Sequence, residues 1–336
     1  MHVIEKLPIL LLYPHNRCNC RCVMCDIWKI EEAQEITPEQ LEAHVADLIS
    51  LGVEQVVFSG GEPLMHSDLF RLCERLRALS IRTTLLSTGL LLEKHAARIV
   101  AWVDEVIVSL DGPPEVHDRI RRVRRAFELL AGGVRALHRH KPGFPVAARC
   151  TVQKSNMRHL RGTVAAAREI GLDSVSFLAA DLTSVAFNRE ERWSLLRQDD
   201  VSLSAGEVLE LEQEVEALLR DEAEVSPRYV LERPEKLRRI VNHFRAHLGL
   251  AEPVAPRCNA PWVSTVVESD GTVRPCFFHA PIGRLGPRSL REVLNGSEAI
   301  AFRGALDVPS DPTCRRCVCS LHWKRAEAPP GVAGAA

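Results

Sequence analysis

The residues of this chain that can do chemistry are its eleven cysteines, and they are grouped. Cys18, Cys20, Cys22 and Cys25 fall within eight residues, Cys258, Cys276, Cys314, Cys317 and Cys319 lie in the last quarter, and Cys73 and Cys150 stand alone between them. Clustered thiols in a chain without a secretory signal point to metal or redox sites rather than structural disulfides. The opening Met1-His-Val-Ile-Glu-Lys lacks the charged-then-apolar pattern of such a signal, and the early apolar run from Leu7 to Tyr13 is too short for a membrane span. The sequence predicts a cytoplasmic protein that binds metal.

In the first group, Cys18, Cys22 and Cys25 have the spacing C-x3-C-x2-C and can wrap one centre. Zinc would take a fourth ligand from His15 or Cys20, and a fully ligated iron-sulfur cluster would take a fourth cysteine. Three ligands leave one iron open to chemistry. Cys20 reads as a bystander, since crowding turns one thiol of a C-x-C pair away. Further on, Ser59-Gly60-Gly61-Glu62-Pro63 joins two residues that allow close backbone approach to a carboxylate able to accept from an ammonium group. Ser87-Thr88-Gly89 and Ser109-Leu110-Asp111-Gly112 offer hydroxyls and a carboxylate, residue types that serve equally as turn and cap residues. Arg149 offers a guanidinium fork for a carboxylate or for a structural ion pair.

The elements that must carry these groups follow a βα alternation. Strands are expected at Ile9 to Tyr13, Gln55 to Phe58, Arg82 to Ser87, Glu105 to Leu110, Val146 to Val152 and Ser174 to Leu178, with helical patterns between them. Thr37, Pro38 and Gln40 form the start signal of the first helix, and Gly52 its stop. Parallel strands joined in this way place a ligand site at their C-terminal ends, where every motif above falls. Residues 181–257 read as charged amphipathic helices around Glu190 to Gln198, Ser204 to Asp221 and Glu232 to Leu248. After Cys258 come a hairpin, Val263 to Val267 and Thr272 to Arg274 about Ser269-Asp270-Gly271, and a short helix from Ser289 to Leu294. The Ala, Pro and Gly-rich tail from 326 is expected to be disordered. The expected domains are 1–180, a helical insertion at 181–257, 258–325 and the tail 326–336.

C-x3-C-x2-C after the first strand, with Gly60-Gly61-Glu62-Pro63 after the second, resembles the radical S-adenosylmethionine (SAM) superfamily. The resemblance implies an α/β fold, a partial (β/α)6 TIM-like barrel, with a small C-terminal α+β domain closing its mouth. It implies that Cys18, Cys22 and Cys25 hold a [4Fe-4S] cluster whose open iron chelates SAM, and that an injected electron splits SAM to a 5'-deoxyadenosyl radical. Gly60, Gly61, Glu62 and Pro63 would bind the methionine amine, Ser87, Thr88, Ser109 and Asp111 the ribose and carboxylate, and Arg149 the carboxylate. Flavodoxin or ferredoxin would supply the electron.

The second cysteine group resembles the SPASM and twitch auxiliary iron-sulfur domains. Cys258 and Cys276 are separated by 17 residues, with Gly271 before Cys276, and Cys314 and Cys317 by two. The resemblance makes these four the ligands of one auxiliary [4Fe-4S] cluster, with a zinc ribbon as the competing reading. Cys319 is left as a further ligand, an idle thiol or a catalytic hydrogen-atom donor. Arg119, Arg121, Arg122, Arg124 and Arg125 read as a solvated helix face, or as a site for an anionic group of the substrate, after the family-like His117-Asp118. With 26% charged residues and a net charge of -1, nothing points to nucleic acid. No peptide-recognition domain precedes the first strand, so the expected substrate is a polar small molecule such as a sugar or cyclitol, oxidised or epimerised. Maturation of a ribosomal peptide is the second expectation, and a non-catalytic metal-binding protein the third.

Overall fold

The short runs rich in Val, Ile and Leu form parallel strands, in a computed structural model that describes residues 2–189, 191–225 and 229–324. They are β1 (Ile9–Leu12), β2 (Gln55–Phe58), β3 (Arg82–Ser87), β4 (Glu105–Ser109), β5 (Val146–Val152) and β6 (Val175–Ala179). Their order in the sheet is their order in the chain, and the register sets Leu12 beside Phe58 and Phe58 beside Leu85, aligning the C-terminal ends. Each crossover is helical, as parallel pairing requires. α1 (Pro38–Glu42) and α2 (Val45–Ser50) follow β1, α3 (Leu69–Ala78) follows β2, and α4 (Leu92–Trp102) follows β3. α5 (Pro114–Arg121) and α6 (Ala126–His140) follow β4, and α7 (Leu160–Glu169) follows β5. Thr37 and Gln40 make the expected reciprocal cap. The single helix expected there is two, split at Ala43 and His44, and Gly52 turns the chain at φ +62°.

Alternation along the strands divides the sheet into two faces. Val56, Phe58, Leu85, Val106 and Val108 have no exposed surface and pack in the hydrophobic core, each burial contributing roughly 2 kcal/mol. Ile9, Leu11, Val57, Leu86 and Ile107, one residue out of phase, line a cavity on the opposite face.

The expected hairpin is present as β7 (Ser264–Val267) and β8 (Thr272–Arg274), with β9 (Gly283–Arg284) beside it. Its place differs from a separate lid. β7 pairs parallel with β1, Leu11 opposite Val266, so the sheet runs through nine strands and stays open rather than closing into a barrel. Ahead of β7 lie α8 (Leu195–Asp199), α9 (Ala205–Val225), α10 (Pro234–His247) and the short α11 (Ala260–Val263). α9 is docked through charge: its Glu210, Glu214 and Glu222 pair with Arg158, Arg161 and Arg168 on and beside α7. After the hairpin come α12 (Leu290–Leu294), α13 (Ser297–Ala305) and α14 (Pro312–Arg315). The tail expected to be disordered lies outside the described residues.

Candidate active site

Cys18, Cys22 and Cys25 all lie in the loop after β1, which is fixed from two sides. On one side, the carbonyls of Ile120 and Arg121 at the end of α5 accept from the amides of Val23 and Arg21 at 3.1 Å. On the other, the segment before α9 grips the same loop. Arg189 donates to the Met24 carbonyl at 3.4 Å, Asn188 to that of Asp26 at 3.3 Å, and Arg197 to that of Val23. Trp193 Nε1 donates to Asp26 Oδ2 at 2.6 Å, and the Arg189 guanidinium lies 3.7 Å from the Trp193 ring centre while paired with Asp181.

Hydrogen bonding and burial separate the thiols. Cys20 is buried and its pKa is pushed up, first by hydrogen bonds to Cys18 and Cys22 and then by burial. Cys22 is lowered to about 7, first by the hydrogen bond from Cys20, with the Arg121 charge assisting against burial. Burial pushes Cys25 up to about 12. Cys20, expected as a bystander, lies buried between these neighbours.

The loop after β2 shows why glycine stands where it does. Gly60 has φ +92°, and a Cβ there would lie 2.8 Å from the Tyr13 ring. A Cβ at Gly61 would overlap the Arg17 carbonyl oxygen, which accepts the Glu62 amide at 2.8 Å. Pro63 opens a short helical turn, and Glu62 has no exposed surface. Its carboxylate accepts from the Leu64 amide at 3.0 Å, the Thr88 amide at 2.6 Å, the Thr88 hydroxyl at 2.7 Å and the Ser87 hydroxyl at 3.1 Å. Burial still raises its pKa against these bonds. Ser87 and Thr88 thus face Glu62, not an open ligand space.

Asp111 is likewise enclosed, paired with Arg121 Nη2 at 2.6 Å and accepting from the Thr151 amide at 3.1 Å. Ser109 is half-buried opposite Arg149 in the register of β4 and β5. Arg149 projects into the inner cavity, donating to Ser176 at 3.4 Å. The arginine run divides: Arg119, Arg122, Arg124 and Arg125 are exposed, but Arg121 is buried, contrary to the solvated-face expectation.

Two cavities adjoin these groups. The mouth, about 460 Å³, is lined by Tyr13, Asn16, Gly60, Gly61, Arg189 and Phe277. The inner one, about 300 Å³, is lined by Arg149 and by all five late cysteines, Cys258, Cys276, Cys314, Cys317 and Cys319. Burial pushes Cys276 up to about 11 and Cys314 to about 12, and raises Cys317 and Cys319 as well. His279, unremarked in the sequence although it stands three residues after Cys276, places Nε2 3.4 Å from Cys314 Sγ. Asp311 caps the helix that presents Cys314, accepting its amide at 2.8 Å. Three thiols on one loop beside a glycine cradle, and five more around one cavity, fit iron-sulfur clusters and a small cofactor.

Comparison with known proteins agrees with this donor chemistry. Residues 12–176 match the Radical SAM superfamily, and residues 258–318 match the SPASM iron-sulfur cluster-binding domain. The chain belongs to the radical SAM superfamily. As a radical SAM enzyme with an auxiliary domain it uses SAM, a SAM-binding [4Fe-4S] cluster and an auxiliary cluster. It is 34% identical over 161 residues to Fe-coproporphyrin III synthase of Methanosarcina barkeri, covering 46% of this chain and 40% of that one. It is 25% identical over 318 residues to PqqA peptide cyclase of Ruegeria pomeroyi, covering 90% and 77%. The curated relatives at 29–34% identity are matched over only 38–46% of their length. Two solved structures share the fold at a TM-score of 0.66. SuiB of Streptococcus suis bound to SAM, 15% identical, matches over 95% of this chain and 74% of its own. anSMEcpe with bound SAM, 20% identical, matches over 88% and 82%.

These findings correct the expected substrate. A relative aligned along nearly the whole chain is a peptide cyclase, and others are heme and coproporphyrin synthases, so a sugar or cyclitol is not supported. Among the described residues no helix is long and apolar enough to cross a membrane.

Proposed function

We propose that this radical SAM enzyme modifies a peptide. The observation that carries the reading is the match to PqqA peptide cyclase, which runs over 90% of the chain and so includes both the βα region and the late cysteines. The tetrapyrrole-related matches cover less than half of it. In this reading the peptide enters the mouth cavity beside the hairpin residues Glu268, Ser269 and Asp270.

In this reading residues 1–180 form the core, 181–257 the insertion, and 258–325 the auxiliary domain. Cys18, Cys22 and Cys25 hold the SAM-binding cluster, and Cys258, Cys276, Cys314 and Cys317 the auxiliary one. Bound there, SAM and a reduced cluster would supply the carbon radical for hydrogen-atom removal from the peptide. Gly60 and Gly61 let SAM lie against the backbone, and Glu62, oriented by Ser87 and Thr88, fixes the negative charge behind that cradle. Pro63 holds the turn, while Ser109, Asp111 and Arg149 complete the strand ends. Cys319 shares the inner cavity with Arg149, and burial raises its pKa. In this reading it returns a hydrogen atom to a substrate carbon. The electron donor is a flavodoxin or ferredoxin, and the setting is the reducing cytoplasm.

The test is mass spectrometry of short peptides encoded beside this chain, after anaerobic incubation with the reconstituted enzyme, SAM and dithionite. Loss of two hydrogens, or an unchanged mass with one solvent deuterium gained only when Cys319 is intact, supports the reading. Unaltered peptides together with conversion of Fe-coproporphyrin would replace it with a tetrapyrrole reading.

A further inference from the structure

Arg121 is the member of the arginine run that does not behave as surface charge. α5 turns Val116, His117, Ile120 and Arg121 inward, a single face at i, i+1, i+4 and i+5. The guanidinium then reaches two groups at once. Nη2 lies 2.6 Å from Asp111 Oδ2, whose carboxylate has no exposed surface, and Nη1 lies 3.5 Å from Cys22 Sγ. Nε is buried with no partner. An ion pair sealed away from water with a donor left over gains little stability, because desolvation offsets the attraction. Its remaining consequence is electrostatic: a fixed positive charge held against a thiol of the cysteine loop by a carboxylate on the far side.

We propose that Arg121, oriented by Asp111, is a positioning residue that sets the reduction potential of the cluster held by Cys22, an inference that rests on reading Cys22 as a cluster ligand. Reduction adds one electron to the cluster and nothing leaves, so the reduced state is the more negative of the two. A guanidinium hydrogen-bonded to a ligand sulfur stabilises that state and raises the potential. Asp111 acts in the opposite sense, cancelling part of the positive charge while aiming it at Cys22.

The experiment is an equilibrium redox titration of the anaerobically reconstituted full chain, following the EPR signal that SAM perturbs. Arg121→Gln is expected to lower the reduced-to-oxidised ratio at a given potential about ten-fold, equal to about 59 mV for one electron. Asp111→Asn is expected to raise it, and Arg121→Lys, which keeps the charge but not the fork, to lie between wild type and Arg121→Gln. Opposite signs are the result a purely structural role cannot give, because removing either partner would then loosen the same loop. Shifts of the same sign in Arg121→Gln and Asp111→Asn, or none, overturn the proposal. If Arg121→Gln takes up no iron, the signs for Arg121→Lys and Asp111→Asn decide in the same way. Cys22→Ala separates the underlying reading: full iron and an unchanged EPR signal there would remove Cys22 as a ligand, whatever the other variants show.

Discussion

At the scale of single residues, the site is built on atoms with no room to move. Gly61→Ala would drive a methyl group into the Arg17 carbonyl and so displace the loop that begins at the cysteines. The expected outcome is a folded protein that binds SAM at least about ten-fold more weakly, about 1.4 kcal/mol by equilibrium dialysis. His117 gives a pH prediction. Its Nδ1 accepts the Asp111 amide at 3.2 Å, and burial, aided by Arg121, pushes its pKa down from 6.5 to about 3. The folded value lies below the unfolded one, so the unfolded chain takes up a proton first. The stability from the neutral ring is complete above pH 6.5 and is lost as pH falls from 6.5 toward about 3. Urea unfolding at about pH 7 and pH 5 should show a smaller loss in His117→Asn, which keeps an acceptor but does not titrate. The cysteine spacings and Gly60-Gly61-Glu62 were legible in the sequence because chain neighbours stay neighbours in a loop. Arg121 was not, because a charged run gives no sign of which member a helix turns inward, and His279 meets Cys314 only through tertiary packing.

At the scale of elements, the six parallel strands were readable from their apolar runs, and the start of α1 from its capping pair. The split between α1 and α2 was not, since no glycine or proline marks it. The larger surprise is the segment from Arg189 to Arg197, expected as a helix from about residue 190, whose described part is mainly a strap across the cysteine loop. Sequence reading assigns such a segment by its own periodicity, whereas its fixed points, Asp26, Met24 and Val23, lie more than 160 residues away. Trp193→Ala removes the indole between Arg189 and Asp26 and is expected to cost about 3–5 kcal/mol of local stability. Iron release to a chelator should quicken by at least about ten-fold, while far-ultraviolet circular dichroism stays unchanged. Equal release from wild type and variant would show that the strap does not hold the cluster loop.

At the scale of the whole molecule, the late cysteines are not carried by a detached module. β7 adds to the edge of the core sheet through β1, and the cavity those cysteines line is walled by the inner faces of β1 to β5. The hairpin signal could be read locally, but its pairing with a strand some 250 residues earlier could not. Two sites in one sheet predict about eight irons per reconstituted chain, four for each [4Fe-4S] cluster. Cys258→Ala should leave about four and still cleave SAM, but without modifying peptide. The central claim is that a peptide carbon meets the SAM-derived radical in this protein, and isotope transfer tests it most directly. With a precursor peptide deuterated at its side-chain carbons, the account predicts deuterium in the 5'-deoxyadenosine formed by wild type and no such product from Cys22→Ala. Deuterium-free 5'-deoxyadenosine, formed at the same rate with and without peptide, would contradict it.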